Sequence, residues 1–306
     1  MERELVWKQV YRAIRTISRM VPQNHAGQGH PDIYPTWVIA ACWFWSCLWH
    51  QPLCAAMLTL GSRRSRRLYR ELGFDLPEHI PGLSTVCRRM QRPDFALTLD
   101  AINRCLIDQL LGAGSCTTLI SDSSPLDIPM FSHDAQARLG HHGHFGYRYH
   151  TLVTHDRVIL VHEAVPSNQQ ELSVFPRLVE RAGGLGIKCR YLAADIGYDS
   201  ENAHRKTREC LGGMLVAPIN NRGGTPAFTR TPLRKAMWQE WRTPEVRQAR
   251  RKRTQVERVY SVLKGPLGMD SLPRHIRGLH RVRCFLEADT ILYHGYLLGK
   301  RDKHAA

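Results

Sequence analysis

A chain of 306 residues with 43% hydrophobic content is long enough for one large domain or two ordinary ones, and no long stretch is disordered by composition. A formal charge of +16 and a pI near 9.8 point to a polyanionic partner, with nucleic acid ahead of an anionic membrane surface. The nine scattered cysteines include no C-x-x-C pair, which argues against a disulfide or zinc framework and for reduced, buried thiols in a cytosolic protein.

Met1 to Met20 is amphipathic and charged, unlike a secretory signal, and Val6, Val10, Ile14 and Ile17 recur at helical spacing. A Gly/His/Pro break at Gly27 to Pro31 separates this helix from Ile33 to Trp49, which holds Trp37, Trp43, Trp45 and Trp49 among aliphatics. At 17 residues, interrupted by Pro35 and closed by His50 and Pro52, that segment falls short of a membrane span and reads as a buried helix. A basic helix is predicted from Arg63 to Leu72, then a short one from Ser84, its N-cap, to Met90. The Arg63-Arg64-Ser65-Arg66-Arg67 run and the Ser84–Met90 helix together fit a small helical DNA-binding module. A last helix runs from Pro93 to Leu111, and Gly112 and Gly114 mark a boundary.

Beyond it the pattern is mixed. Strand-like runs lie at 117–122, 145–153, 157–165, 188–194 and 213–219, with helices at about 170–183 and 199–211 flanking the fourth. A long helix at about 244–264 ends at Gly265-Pro266, and a final one covers 275–298. The order β-β-β-α-β-α-β-α predicts a mixed α/β sheet with helices packed on it. The expected division is a helical N-terminal region, 1–112, that binds DNA, followed by a mixed α/β catalytic domain, 113–306.

Three carboxylates carry the candidate chemistry. Asp122 closes the first strand run, Asp195 stands at the carboxyl end of the fourth, and Glu257 lies in the basic helix. Sites in such sheets gather beside strand carboxyl ends, so the two aspartates can converge. Together these carboxylates could bind divalent metal beside a phosphodiester. Arg247 to Arg283 contains eleven Lys/Arg and two acids, a density that implies phosphate affinity. On a continuous helix Arg253 lies about 40° from Glu257 and Lys264 about 20° on the other side. Val256, Val259, Tyr260, Leu263 and Leu267 then form a separate face that packs inward. A plain Arg253–Glu257 surface ion pair is the competing account of that spacing.

Other polar residues have simpler explanations. His133, His141, His142, His144, His150, His155 and His162 follow no familiar zinc spacing and suit an exposed loop that contacts phosphates. Asp127 follows Pro125 and reads as a turn residue, and Asp199 as the N-cap of the next helix. Trp238 and Trp241 could stack on an unpaired base, but packing at the root of the long helix is the simpler expectation.

Four segments in order resemble the DDE transposases of bacterial insertion sequences, whose catalytic domain is ribonuclease-H-like. Leu119-Ile120-Ser121-Asp122-Ser123-Ser124-Pro125-Leu126 is similar to the first-aspartate strand, and Gly146-Tyr147-Arg148-Tyr149-His150 to a G-Y-K-x-H strand. Ala194-Asp195-Ile196-Gly197-Tyr198-Asp199-Ser200 resembles the A-D-x-G-Y-D-S segment, and Arg253, Glu257 and Lys264 fit R-x3-E-x6-K. The likeness covers roughly 115–295. It departs at Arg250, where the fuller signature has Tyr, and an interval of 62 residues from the second acid to the third leaves little room for a large β insertion. The resemblance implies metal-dependent cleavage of transposon ends and strand transfer, with Asp122, Asp195 and Glu257 catalytic and binding two Mg²⁺ ions, with Mn²⁺ as an alternative. Arg250, Arg251, Lys252, Arg253, Arg258 and Lys264 would follow the DNA backbone. It also implies a homodimer on double-stranded transposon-end and target DNA, in the nucleoid-associated cytoplasm and away from membranes. Alternatives are a decayed or domesticated transposase that only binds DNA, and a metal-dependent nuclease without strand transfer.

Overall fold

The computed structural model describes residues 2–20, 34–62, 80–112, 117–129, 133–220 and 231–305. The expected break at Gly27 to Pro31 and the basic helix Arg63 to Leu72 lie outside them. The chain forms two compact units, one of Met1–Gly112 with Cys284–Ala306, the other of Ala113–Arg283. The C-terminal stretch from Cys284, grouped from sequence with the catalytic domain, thus belongs to the helical unit.

In the helical unit, α1 (Glu2–Met20), α2 (Thr36–Leu48), α3 (Leu53–Gly61), α4 (Leu83–Arg89) and α5 (Pro93–Leu111) surround an aromatic core. Val6, Val10, Ile14 and Ile17 are buried, as their spacing requires. Every residue of α2 from Val38 to Leu48 is buried too, so this helix is hydrophobic all round because it is core. Two of its indoles have partners for their N–H groups: Trp45 donates to Thr59 Oγ1 at 3.1 Å and Trp43 to the Cys284 carbonyl at 3.2 Å. No helix among the described residues is long and apolar enough to cross a membrane. The N-cap of α4 is Gly82 rather than Ser84. Arg89 of α4 donates to Thr36 Oγ1 at 2.8 Å and to the Tyr34 carbonyl at 2.9 Å, fixing the entry to α2. Not all thiols are buried: Cys54 and Cys87 are exposed.

The second unit is a mixed sheet of six strands, the ribonuclease-H-like arrangement expected. These are β1 (Thr118–Asp127), β2 (Arg138–Leu139), β3 (Phe145–Thr154), β4 (Ile159–Pro166), β5 (Tyr191–Ala193) and β6 (Met214–Val216). The order runs β2-β3-β1-β5-β6, with β4 also on β3. β1, β3 and β4 form an antiparallel meander, whereas β5 and β6 join β1 in parallel. The crossover helices are α6 (Glu171–Gly184) and α7 (Glu201–Leu211), followed by α8 (Pro232–Glu240).

Two local expectations change. Asp127 is no turn residue: β1 continues through Pro125 to Asp127, which pairs with Gly146. β5 pairs only with 118–120, so one edge of β1 is open beyond Ile120 and a proline is tolerated there. Gly146 has φ +150°, and a Cβ there would strike the Leu126 carbonyl, which explains the glycine opening the G-Y-R-Y-H segment. The long helix is two: α9 (Pro244–Lys252) and α10 (Gln255–Lys264). The joint is tightened by i→i−3 bonds from Arg253 N–H to the Arg250 carbonyl and from Val256 N–H to the Arg253 carbonyl. The last helix, α11 (Leu279–Ala305), completes the chain.

Partners across the meander share a face. Ser123, His150 and Glu163 line one side, Asp122, Thr151 and His162 the other. His150 is fully buried, and desolvation, with Arg148 and Arg177 nearby, lowers its pKa to about 3. It therefore folds neutral, while the unfolded chain binds a proton below about pH 6.5. Stability from this group is complete above that value and declines as pH falls toward 3, by up to about 1.4 kcal/mol per pH unit. Between pH 7.5 and 5.0 the wild type should lose about 2 kcal/mol more than His150→Gln in urea denaturation followed by circular dichroism. Parallel losses in the two proteins would show that His150 titrates freely.

Candidate active site

The parallel pairing of β1 and β5 sets the site. Ile120 stands opposite Ala193, so Asp122 and Asp195 each lie two residues further along adjacent chains. Strands in a sheet run about 4.8 Å apart, which brings the two carboxylates together just past the end of β5. Asp122 does not close its strand, as expected from sequence, but lies midway along β1. Asp122 is largely buried, and its pKa is pushed up to about 6, first by desolvation and then by the charges of Asp195 and Glu171. The Ser123 N–H, 2.8 Å from Asp122 Oδ1, and the Arg253 guanidinium work in the opposite direction. Asp195 follows β5 and caps a single 3₁₀ turn, Ile196–Tyr198, by accepting from the Gly197 N–H.

α10 brings the third acid beside the first. Tyr260 hydroxyl donates to the Asp122 carbonyl at 2.9 Å and lies 2.8 Å from Thr151 Oγ1, pinning the helix to β1 and β3. Val256, Val259 and Leu263 are buried beside it. One helical turn earlier, Glu257 stays exposed, its side chain 63% accessible against 19% for Asp122. Arg253, at the joint of α9 and α10, stands between them, 3.6 Å from Asp122 Oδ2 and 4.0 Å from Glu257 Oε1. The guanidinium thus neutralises both carboxylates at distances longer than a good hydrogen bond.

A cleft of about 450 Å³ opens next to Asp195. Ala193, Ala194, Val216 and Pro218 floor it, and Arg247, Arg250, Arg251 and Arg253 line it. Arg250, where the signature has Tyr, lays its guanidinium over Trp241 with 3.8 Å to the ring centroid. Trp241 packs against the cluster of Tyr191, Val216, Val246 and Ala249, so it does root the α9 segment. Trp238 stacks on Trp241 at 5.8 Å and is 43% exposed. Lys252, Arg258 and Lys264 lie outside the lining of this cleft, with Lys264 closing α10.

Sequence reasoning missed several members of this site. Glu171, the first residue of α6, accepts from Ser123 Oγ at 2.9 Å and from Arg148 Nη1 at 3.0 Å. Arg148 belongs to the G-Y-R-Y-H segment, and a cation directed into a sheet requires an acid; that requirement was the available signal. Tyr260 read only as part of an apolar stripe. Asp199 is not an N-cap, because Ser200 caps α7, while Asp199 is buried against Arg234. The histidines disperse: His144 meets Asp127, His155 meets Asp156, and His150 and His162 face opposite sides of the sheet.

Among the described residues no group of three Asp, Glu, His or Cys side chains is placed to hold a metal ion. The donor chemistry nevertheless suits a hard divalent cation, since Asp122 and Asp195 repel one another and burial disfavours the ionised Asp122. Among curated proteins and among solved structures nothing matches the chain. The family model described as the transposase DDE domain matches residues 116–293. That match spans the strand of Asp122, the turn of Asp195 and the helix of Glu257, and with more than half of the chain inside it the protein belongs to the DDE transposase family.

Proposed function

We propose that this transposase cuts transposon ends and joins them to target DNA at the site of Asp122, Asp195 and Glu257. The observation that carries the reading is the pairing of a buried, charge-crowded Asp122 with Asp195 beside a cleft lined by four arginines. Asp122 and Asp195, with Glu257 across Arg253, are the residues that would hold Mg²⁺ or Mn²⁺, in a pair of ions. Bound there, the ions supply charge neutralisation at the scissile phosphate and a more acidic water or 3′-hydroxyl.

The chain's own groups do the positioning. Arg253 sits where it can take a phosphate oxygen once the carboxylates are otherwise compensated, and Arg247, Arg250 and Arg251 continue the track into the cleft. Lys252, Arg258 and Lys264 extend it along α9 and α10. The helical unit binds duplex DNA, and a homodimer holds two transposon ends in the nucleoid-associated cytoplasm. A decayed transposase that only binds DNA is the second reading, favoured by the exposure of Glu257 and by Arg250 in the Tyr position. Metal-dependent nicking of the element's own ends, lost on chelation, is the decisive assay; tight binding without nicking would select the decayed form.

Two variants probe the architecture. Tyr260→Phe keeps the ring but leaves the Asp122 carbonyl and Thr151 hydroxyl without that partner, a loss of about 1–3 kcal/mol. Because α10 carries Glu257, nicking should also slow by roughly tenfold to a hundredfold. Lower stability with an unchanged nicking rate would mean that Tyr260 serves the fold alone. Lys264→Ala should reduce the salt slope of DNA binding by about one unit, and an unchanged slope would take Lys264 off the DNA.

A further inference from the structure

We propose that Glu171 is a positioning residue of the active site, clamping the strand that carries Asp122 to the turn that carries Asp195. This rests on the nucleolytic reading above and adds a fourth acid to it.

Glu171 reaches three chain segments at once. Its Oε1 accepts from Ser123 Oγ on β1 at 2.9 Å and from Arg148 Nη1 on β3 at 3.0 Å. Its Oε2 fills the space in front of Gly197, where a Cβ would collide with it, and Asp195 Oδ1 flanks the same point at 3.1 Å. The Glu171 carboxylate thus occupies the space that a side chain at position 197 would need. An acid in the first turn of a helix is ordinarily explained by the helix dipole and faces solvent. Glu171 instead turns inward, its side chain 23% accessible and that of Arg148 16%.

The arrangement has a mechanical consequence. Ser123 follows Asp122 on β1, and alternation sends the two side chains to opposite faces of the sheet. Glu171 thus holds β1 from the face opposite to Tyr260, while its other oxygen backs the 3₁₀ turn that begins at Asp195. Backbone pairing between β1 and β5 runs from Thr118–Tyr191 to Ile120–Ala193, and Glu171 adds a tie just beyond the last pair. Without it the turn keeps the packing of Tyr198 on Phe175 but loses a contact that sets the spacing of the two aspartates. Glu257, by contrast, stands across Arg253 and has no part in this tie.

A positioning role and a direct charge role separate with two substitutions. Glu171→Gln keeps an acceptor oxygen for Ser123 and Arg148, whereas Glu171→Ala removes it. Single-turnover nicking in the glutamine variant should stay within about fivefold of wild type, and in the alanine variant fall by about thirtyfold or more, with DNA affinity within about threefold in both. Hydrogen–deuterium exchange of the peptide covering Asp195 to Asp199 should accelerate in the alanine variant only, because the Gly197 amide reports the turn directly. If alanine does not fold, Glu171→Leu with Arg148→Met leaves no orphaned charge and is read in the same way. Wild-type nicking and exchange in the alanine variant would overturn the proposal. So would a glutamine variant as slow as alanine with wild-type exchange, since the charge itself would then be required. Should wild type nick no DNA, the nucleolytic reading fails, and the exchange comparison still decides whether Glu171 fixes the Asp195 turn.

Discussion

Asp195→Asn is expected to lower metal-dependent nicking of the transposon ends by roughly three orders of magnitude, the scale on which loss of a preorganised electrostatic group is felt at a reacting centre. Duplex binding should stay within about twofold, since neither aspartate contributes a cation to the phosphate track. Asparagine is nearly isosteric and can keep an acceptor for the Gly197 N–H, so the turn should persist and the effect be confined to chemistry. Asp122→Ala should reach the same floor by a different route. It removes a buried carboxylate whose pKa lies at about 6, so the protein without metal gains stability above that pH while losing activity. The sign follows from the raised value: between about pH 4 and 6 the folded state binds the extra proton, and stability falls as pH rises through that window. Urea denaturation at pH 7.5 beside a nicking assay measures both halves. Residual nicking at the wild-type rate in Asp195→Asn would remove that residue from the site and the proposed mechanism with it.

The parts legible from sequence are those in which local pattern and tertiary role agree. Strand periodicity around Leu119-Ile120 and the apolar stripe of Val256, Val259 and Leu263 each fixed an element and its buried face, because burial is what selected those residues. The D-x-G-Y segment placed Asp195 just past a strand end, where the parallel pairing then set it level with Asp122. What escaped were features made by partners distant in sequence. Glu171 acquires its role from Ser123 and Arg148, 48 and 23 residues away, and nothing local distinguishes it from any acid at a helix start. The division of the long helix at Arg253 was equally hidden. No proline or glycine marks it, and its effect is to set Arg253 between Asp122 and Glu257 rather than on a regular face. Asp127 shows the opposite error: Pro125 was given the weight of a strand breaker although β1 has an open edge there.

Four residues beyond Asp195, a second aspartate should respond in the opposite way. Asp199 is fully buried and accepts from Arg234 through both oxygens, from Nε at 2.9 Å and from Nη2, with the Asn220 N–H at 2.7 Å and His204 Nε2 at 3.3 Å. Burial alone would raise its pKa, but the bonds from His204, Arg234 and Asn220 outweigh it and hold the carboxyl below its ordinary value. Asp199→Asn leaves the Arg234 guanidinium buried without its counter-charge, which costs about 3–5 kcal/mol in comparable pairs. For a unit of this size that is on the order of a 10 °C fall in the melting temperature. Because the folded pKa is depressed, the wild-type contribution is complete above about pH 4 and is lost as pH falls through the folded value. The asparagine variant should therefore be destabilised at neutral pH and lack that acid limb. A paired Asp199→Leu, Arg234→Met replacement should recover much of the loss, since it buries no unmatched charge. If Asp199→Asn melted with the wild type, the ion pair would be energetically idle. If it melted early but nicked normally at low temperature, the two aspartates of one short segment would divide cleanly, Asp195 serving the reaction and Asp199 the frame that holds it.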